Sequence, residues 1–322
     1  MTNYPTPDKR ETLGLNYPTD SEILSLLRHR LRIDFGDGLD EFFSLCMNER
    51  NFPLGSKHPE YLDRLFVVSI TKTQFDHFLV AYIYLAAATF AMDRICDGQS
   101  DSISDCLGIP ELLIKGKTHL SDAFGTAENL PQDFNADFAI SALFSEFRNA
   151  MKTEERLRAT KLIHSESAEF ENLTDRSVLF VEAYKWLSLL RGNMPEEQDV
   201  DLLRVFVFYM QRGDDLGDWR EDYLIGNATY FLRRCFEHIG SECSEAELES
   251  FVYFSGAYEQ EAKLIIGGLL EIQEQLVRRP QSAHLSAFVD RQRMRAVKVL
   301  SNFERAKAGG SSRTSDMGGA LH

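Results

Sequence analysis

The stretch Phe78-Leu79-Val80-Ala81-Tyr82-Ile83-Tyr84-Leu85-Ala86-Ala87-Ala88-Thr89-Phe90-Ala91-Met92-Asp93-Arg94-Ile95-Cys96-Asp97 decides how this chain is read. From Phe78 to Met92 it carries no charge, no Gly and no Pro, and two aspartates four apart close it. A second apolar run, Leu202 to Met210, leads into Asp214-Asp215-Leu216-Gly217-Asp218-Trp219-Arg220-Glu221-Asp222. Residues four apart on an α-helix lie one above another. Asp93 and Asp97 therefore form one carboxylate ladder, and Asp214, Asp218 and Asp222 form a second. Both continue the stripe expected to face the interior. Carboxylates gathered at the mouth of an apolar interior repel one another and are costly to desolvate unless cations neutralise them. Hard ions such as Mg²⁺ take carboxylate oxygen and keep waters and phosphates as further ligands.

Outward from these runs the pattern stays helical. Apolar residues recur at spacings of three and four, and no sustained alternation marks a strand. The spacing predicts helices over 21–34, 38–50, 60–72, 74–97, 110–126, 135–152, 154–172, 176–192, 199–222, 228–240, 244–277 and 283–307. Breaks are expected at Gly36/Gly38, Pro53–Pro59, Gly98–Gly108, Leu130–Pro131, Gly192–Pro195, Gly226 and Pro280. No internal repeat appears, and no linker-like stretch interrupts the middle. The expectation is one all-α domain over 19–307, between a loose polar arm (1–18) and a disordered Gly/Ser-rich tail (308–322).

Composition narrows the function. The 322 residues are 43% apolar with 23 Phe, ample for a large core, and carry a net charge of -15. A nucleic-acid binder would show a basic face instead. No basic segment leads into an apolar run at the N-terminus, and no stretch of 18 uncharged apolar residues appears, so neither a signal peptide nor a membrane span is expected. The five Cys (46, 96, 106, 235 and 243) lack paired spacing, which fits reduced thiols and a cytoplasmic protein.

Acidic spacing alone is a weak signal. About one i, i+4, i+8 acidic triplet is expected by chance in a chain this acidic, so a solvated acidic face is the plain alternative. Context favours a site. The first ladder ends at the Asp97-Gly98 break, a helix C-terminus, where the macrodipole disfavours anions.

The segment Gln211-Arg212-Gly213-Asp214-Asp215-Leu216-Gly217-Asp218 resembles the Q-x-x-D-D-x-x-D second motif of trans-prenyl diphosphate synthases. Asp214, Asp218 and Asp222 also have the spacing of the N-D-x-x-S-x-x-x-E metal triad of class I terpene cyclases, with Asp at all three ligand positions. The continuation to Gly226 is similar to the squalene/phytoene synthase pattern, and Asp93 to Gly98 resembles the D-x-x-x-D-G first motif of that branch. About 120 residues separate the motifs, which suits all three branches. Together they resemble the class I isoprenoid synthase superfamily, whose fold is an all-α helical bundle around a central active-site cavity.

The resemblance implies three Mg²⁺ ions held between Asp93/Asp97 and Asp214/Asp218/Asp222, binding an allylic diphosphate. The metals would neutralise charge on the departing diphosphate, and a dry apolar pocket would hold the allylic cation, with aromatic faces stabilising it. Tyr82, Ala86, Thr89 and Phe90 precede Asp93 on its face, and Phe206, Val207 and Met210 precede Asp214; these are pocket candidates, with ordinary core as the alternative. Arg176, Lys185 and Arg212 are candidate diphosphate contacts, against solvated surface bases. Arg291, Arg293, Arg295 and Lys298 read as a lid or as a solvated helix face. Asp215 and Glu221 point to other helix faces, as salt-bridging or supporting residues.

Departures from each branch choose among them. The first motif lacks the adjacent Asp pair of chain-elongating synthases, since position 94 is Arg. The tyrosine-rich segment of squalene and phytoene synthases is reduced to Tyr184. A cyclase tolerates both departures because it takes one substrate. The expected activity is thus a Mg²⁺-dependent terpene cyclase acting on a linear C15 or C20 prenyl diphosphate. A prenyl transferase, head-to-head or chain-elongating, is the rival enzyme, and a helical scaffold is the rival from another class. Homodimers are common in the superfamily.

Overall fold

A computed structural model describes residues 17–36, 43, 47, 51–66, 70–96, 103–125, 135–161 and 165–308. Its described residues are mostly helical, with no strand among them. The helices are α1 (Asp20–Phe35), α2 (Asn51–Asp63), α3 (Lys72–Cys96), α4 (Ile103–Gly125), α5 (Ala136–Thr160), α6 (Glu166–Arg176) and α7 (Val178–Leu189). They continue as α8 (Glu197–Gly217), α9 (Trp219–Leu224), α10 (Tyr230–Ile239), α11 (Glu245–Phe254), α12 (Ala257–Val277) and α13 (Ala283–Ala308), with a 3₁₀ turn at Pro280–Ser282. The helix expected at 38–50 apart from Phe43 and Met47, most of the N-terminal arm, and the C-terminal tail beyond Ala308 lie outside the described residues.

Several boundaries differ from the expectation. The helix placed at 60–72 occurs as α2, nine residues earlier at each end, and runs through Pro53 and Pro59. Pro53 falls in its first turn, where a proline removes no hydrogen bond, and the cost at buried Pro59 is outweighed by packing. The helices placed at 135–152 and 154–172 are instead divided at 161–165, where Lys161 takes a positive φ. The long helix placed at 244–277 is broken at Gly256, whose φ of 84° is left-handed, a conformation open to glycine. Ser244 and Glu247 close a reciprocal capping box before α11, as Thr19 and Glu22 do before α1.

The helices form two compact units. One is drawn from Met1–Met92, Ser102–Asp137 and Trp186–Met194. Its centre is α3, buried on every side from Phe78 to Ala88, as a helix without a polar face must be. By length and composition alone α3 is apolar enough to cross a membrane, yet 67% of its most apolar window is buried within the protein, as in a core helix. At Gly116 of α4 an added Cβ would stand 3.0 Å from Leu85 of α3, so this glycine allows the close approach.

The other unit is drawn from Asp93–Asp101, Phe138–Lys185 and Pro195–His322. Here α12 packs against α8 and α13, and α6 packs on α8. A Cβ at Gly268 of α12 would fall inside the Tyr209 ring of α8. The same two helices are joined by Arg212, whose Nε and Nη2 each donate to Glu261 at 2.6 Å. Arg233, fully buried, donates to Glu169 at 2.6 Å and to the Ala228 carbonyl at 2.6 Å.

Candidate functional site

The second acidic segment straddles a break. The expected helix 199–222 ends at Gly217; Asp218 takes a bridge conformation (φ -101°, ψ 9°), and α9 follows. The ladder nevertheless survives, because the Asp218 amide donates to the Asp214 carbonyl at 3.0 Å and the Asp222 amide to the Asp218 carbonyl at 2.9 Å. Successive aspartates thus keep their four-residue backbone hydrogen bonding through the bend. Gly226, with φ 77°, then turns the chain toward α10.

Burial grades across the segment. Asp214 is exposed, Asp218 and Asp222 are half-buried, and Asp215 is buried. Asp215 Oδ2 accepts from the backbone N–H of Tyr230 at 3.1 Å. That amide opens α10, where the Thr229 side chain makes no cap; the carboxylate meets the positive end of the helix dipole instead. Asp222 Oδ1 accepts from Asn227 Nδ2 at 2.8 Å, and the Asn227 amide donates to the Asp222 carbonyl at 2.7 Å.

Arg176 stands where the two acidic segments come under one charge. It ends α6, a position the helix dipole favours for a cation. Its Nη2 lies 3.7 Å from Asp93 Oδ1 in the last turn of α3, and its Nη1 lies 3.9 Å from Glu154 Oε1. Burial pushes Asp215 up to about 7; Arg176 and Arg233 oppose the rise, and Glu154 and Asp214 add to it. Burial likewise pushes Asp222 up to about 8, with Asp215 and Asp218 adding to the rise while the Asn227 hydrogen bond and Arg176 oppose it. Glu154 goes the other way: burial is outweighed by Arg176, Arg233 and Arg158 and by the 2.6 Å hydrogen bond from Asn172, so it is held below the usual range.

Asp93, Asp214, Asp218 and Asp222 thus lie in one compact unit with Arg176; Asp97 lies outside the described residues. The acids of the second segment are close enough to raise one another's pKa, but these four carboxylates do not gather into a single-ion coordination shell. Among the described residues the group that does so is His77, His119 and Asp122 of the other unit. The chemistry of the aspartate set still fits Mg²⁺: every donor is a hard carboxylate oxygen, and Asp222 is raised by burial and by like charges that a cation would offset.

The remaining candidates separate. Lys185 Nζ donates to Glu182 on its own helix at 2.6 Å. Arg212 is held in its buried pair with Glu261 and flanked by the Phe208 and Tyr230 rings, so it joins helices rather than facing the acids. Arg293 pairs with Asp290 and Arg295 reaches Gln292, both on α13 itself. In the first unit Tyr82 and Ala86 are buried and Thr89 and Phe90 half-buried; the Tyr82 hydroxyl is 3.0 Å from His58 Nδ1, and Thr89 Oγ1 donates to the Ala86 carbonyl. In the second unit Phe206 lies between Phe180 and Phe288, with ring centroids 5.9 and 5.5 Å away. Val207 is buried and Met210 half-buried.

Asp215, expected as a salt-bridging or supporting residue on another helix face, is buried and supports the start of α10; two contributors escape sequence reasoning. Glu154 and Asn227 carry no motif at all. No protein-family model matches this chain, and no curated protein matches it either.

Proposed function

We propose that this protein is a Mg²⁺-dependent class I terpene cyclase that ionises a linear C15 or C20 prenyl diphosphate and closes the resulting cation into a ring, releasing diphosphate. The observation that carries the reading is Arg176, 3.7 Å from Asp93 and near enough to Asp215 and Asp222 to oppose the rise that burial gives both. Asp93, Asp97, Asp214, Asp218 and Asp222 would hold the metal. Bound Mg²⁺ supplies Lewis-acid withdrawal of charge from the departing diphosphate.

The chain's own residues supply the rest. Arg176 offers a planar guanidinium, suited to phosphate oxygens, at the same acidic edge. Asn227 orients Asp222 through two hydrogen bonds, one from its side chain and one from its backbone. Asp215 is tied to the start of α10 and serves to position that helix beside the acids. Phe206, with Phe180 and Phe288 around it, offers aromatic faces to an allylic cation and excludes water.

The test is incubation with farnesyl or geranylgeranyl diphosphate and Mg²⁺, with and without isopentenyl diphosphate, followed by mass spectrometry. A cyclic hydrocarbon or alcohol plus free diphosphate is the expected outcome. A longer diphosphate would assign a transferase, and absence of turnover with every prenyl diphosphate would refute both enzymatic readings.

A further inference from the structure

We propose that His77 of α3 with His119 and Asp122 of α4 forms a binding site for a divalent cation of the zinc class, pinning these two helices of the first unit together. The Nδ1 atoms of His77 and His119 are 3.2 Å apart. His77 Nδ1 lies 3.7 Å from Asp122 Oδ2, and the three ligand atoms all lie within 4.8 Å of one another. A tetrahedral zinc ion with ligands at roughly 2.0–2.1 Å sets neighbouring donors about 3.3 Å apart. The histidine pair already has this spacing, and the Asp122 carboxylate stands a few tenths of an ångström beyond it from His77.

The local sequence explains the convergence. His119 and Asp122 are three apart on α4 and share a face. His77 lies near the start of α3, where the residue facing α4 is a histidine rather than another member of the apolar run. His119 is buried, His77 half-buried and Asp122 exposed, so an ion can enter from the carboxylate side.

The tautomers favour a ligand. His119 Nε2 lies 2.9 Å from Asp34 Oδ2, an oxygen that also accepts from the Tyr84 hydroxyl at 3.1 Å. Lys115 stands 3.7 Å from the other Asp34 oxygen. A carboxylate held by such partners keeps the proton on His119 Nε2 and leaves the Nδ1 lone pair aimed at His77. A carboxylate behind a histidine is the supporting arrangement that orients imidazole toward metals. Burial lowers the His77 pKa; Asp122 opposes this, His119 and Arg30 reinforce it, and Asp76 opposes it. Neutral imidazole is the form that ligates. Two imidazoles and one carboxylate are the donors of zinc-class ions, whereas Mg²⁺ prefers an all-oxygen set. The competing account is one hydrogen bond between the two rings, which needs no ion and predicts no affinity.

The test is titration of the chelator-treated full chain with Co²⁺, a spectroscopic stand-in for zinc, in excess Mg²⁺ so that the aspartates are already engaged. One equivalent should bind with visible ligand-field absorption, be displaced by zinc, and raise the melting temperature. Asp122→Asn, at an exposed position that the fold tolerates, and His77→Ala should each weaken binding at least tenfold. Asp34→Asn should weaken it roughly ten- to a hundredfold. Asp218→Asn should leave it unchanged. The proposal is overturned by an absence of stoichiometric binding, by unaltered affinity in both Asp122→Asn and His77→Ala, or by a loss that follows Asp218→Asn instead.

Discussion

Replacing Asp222 by Asn should make the ligand-free protein more stable while destroying its response to Mg²⁺ and diphosphate. An ordinary aspartate, with pKa 3.8, is ionised at pH 7 in the unfolded chain, whereas folded Asp222 holds its proton up to about 8. Between these values the folded state binds more protons, so stability falls as pH rises. The penalty is absent below about pH 4, grows through the window, and is complete above about pH 8. At pH 7 the protonation gap spans about three units at roughly 1.4 kcal/mol each, a ceiling of about 4 kcal/mol. Asp222 is half-buried, and solvent screening reduces this to about 2 kcal/mol. Asparagine never pays this cost and still accepts the Asn227 hydrogen bond through its amide oxygen. At roughly 2 °C per kcal/mol for a chain of this size, the variant should melt about 4 °C higher at pH 7. Saturating Mg²⁺ with inorganic diphosphate should reverse the order. A ligand at a hundred times its Kd adds about 2.7 kcal/mol to the wild type, and the variant should lose most of that gain. Thermal melts from pH 5 to 9, with and without Mg²⁺ and diphosphate, give both arms. A variant that melts below wild type without ligand at pH 8, or that keeps the full ligand shift, would refute the reasoning.

The other predictions concern single contacts. Asp218→Asn should abolish most turnover in the prenyl diphosphate assay with circular dichroism unchanged; near-normal rates would remove Asp218 from the metal set. Arg176→Ala should cost on the order of 1–2 kcal/mol in urea melts, because it removes one of several partners of buried Glu154, which keeps Arg158, Arg233 and Asn172, and should reduce turnover well beyond the loss seen with Arg176→Lys. Arg212→Met or Glu261→Met alone should cost about 3–5 kcal/mol, and the double variant should recover most of it with KM for the prenyl diphosphate unchanged; a raised KM in the double variant would restore Arg212 as a diphosphate contact. Gly268→Ala should cost roughly 1–3 kcal/mol by driving a methyl into the Tyr209 ring, and Tyr209→Ala in the same chain should relieve that clash.

The fold class was legible because helical periodicity is repeated across the chain, and α3 in particular has an apolar run too long for a strand. Breaks were less legible where backbone geometry, not residue type, makes them. At Asp218 the four-residue hydrogen bonding continues across the bend, so the side-chain pattern shows no interruption and only Gly217 marks the place. At Gly256 apolar residues on both sides kept the period running, and the left-handed φ is a property of the folded backbone. In the acidic segment the spacing singled out Asp214, Asp218 and Asp222 and set Asp215 apart as a supporting residue, the role it has at the start of α10. A helix face is defined by what packs on it, and the arrival of α10 at Tyr230 is what turns Asp215 inward. Glu154 lies about 60 residues before Asp214 on α5; its role comes wholly from tertiary packing.

What separates a functional acidic cluster from an acidic surface is whether each buried charge has a structural reason. Asp215 has one, since it caps α10 and answers to Arg176 and Arg233. Glu154 has one, since three arginines and Asn172 surround it. Structural networks of this kind also perturb pKa values, so neither residue argues for a site. Asp222 is different. Its side chain accepts a hydrogen bond from Asn227, but burial raises its pKa first, and the like charges of Asp215 and Asp218 beside it add to the rise. Nothing in the packing of α9 requires a carboxylate there; asparagine would keep the hydrogen bond without the repulsion. A residue that costs stability where a neutral isostere would fit marks a local conflict of the kind found at functional sites. The case for cation binding in this unit therefore rests on Asp222 more than on the ladder it completes.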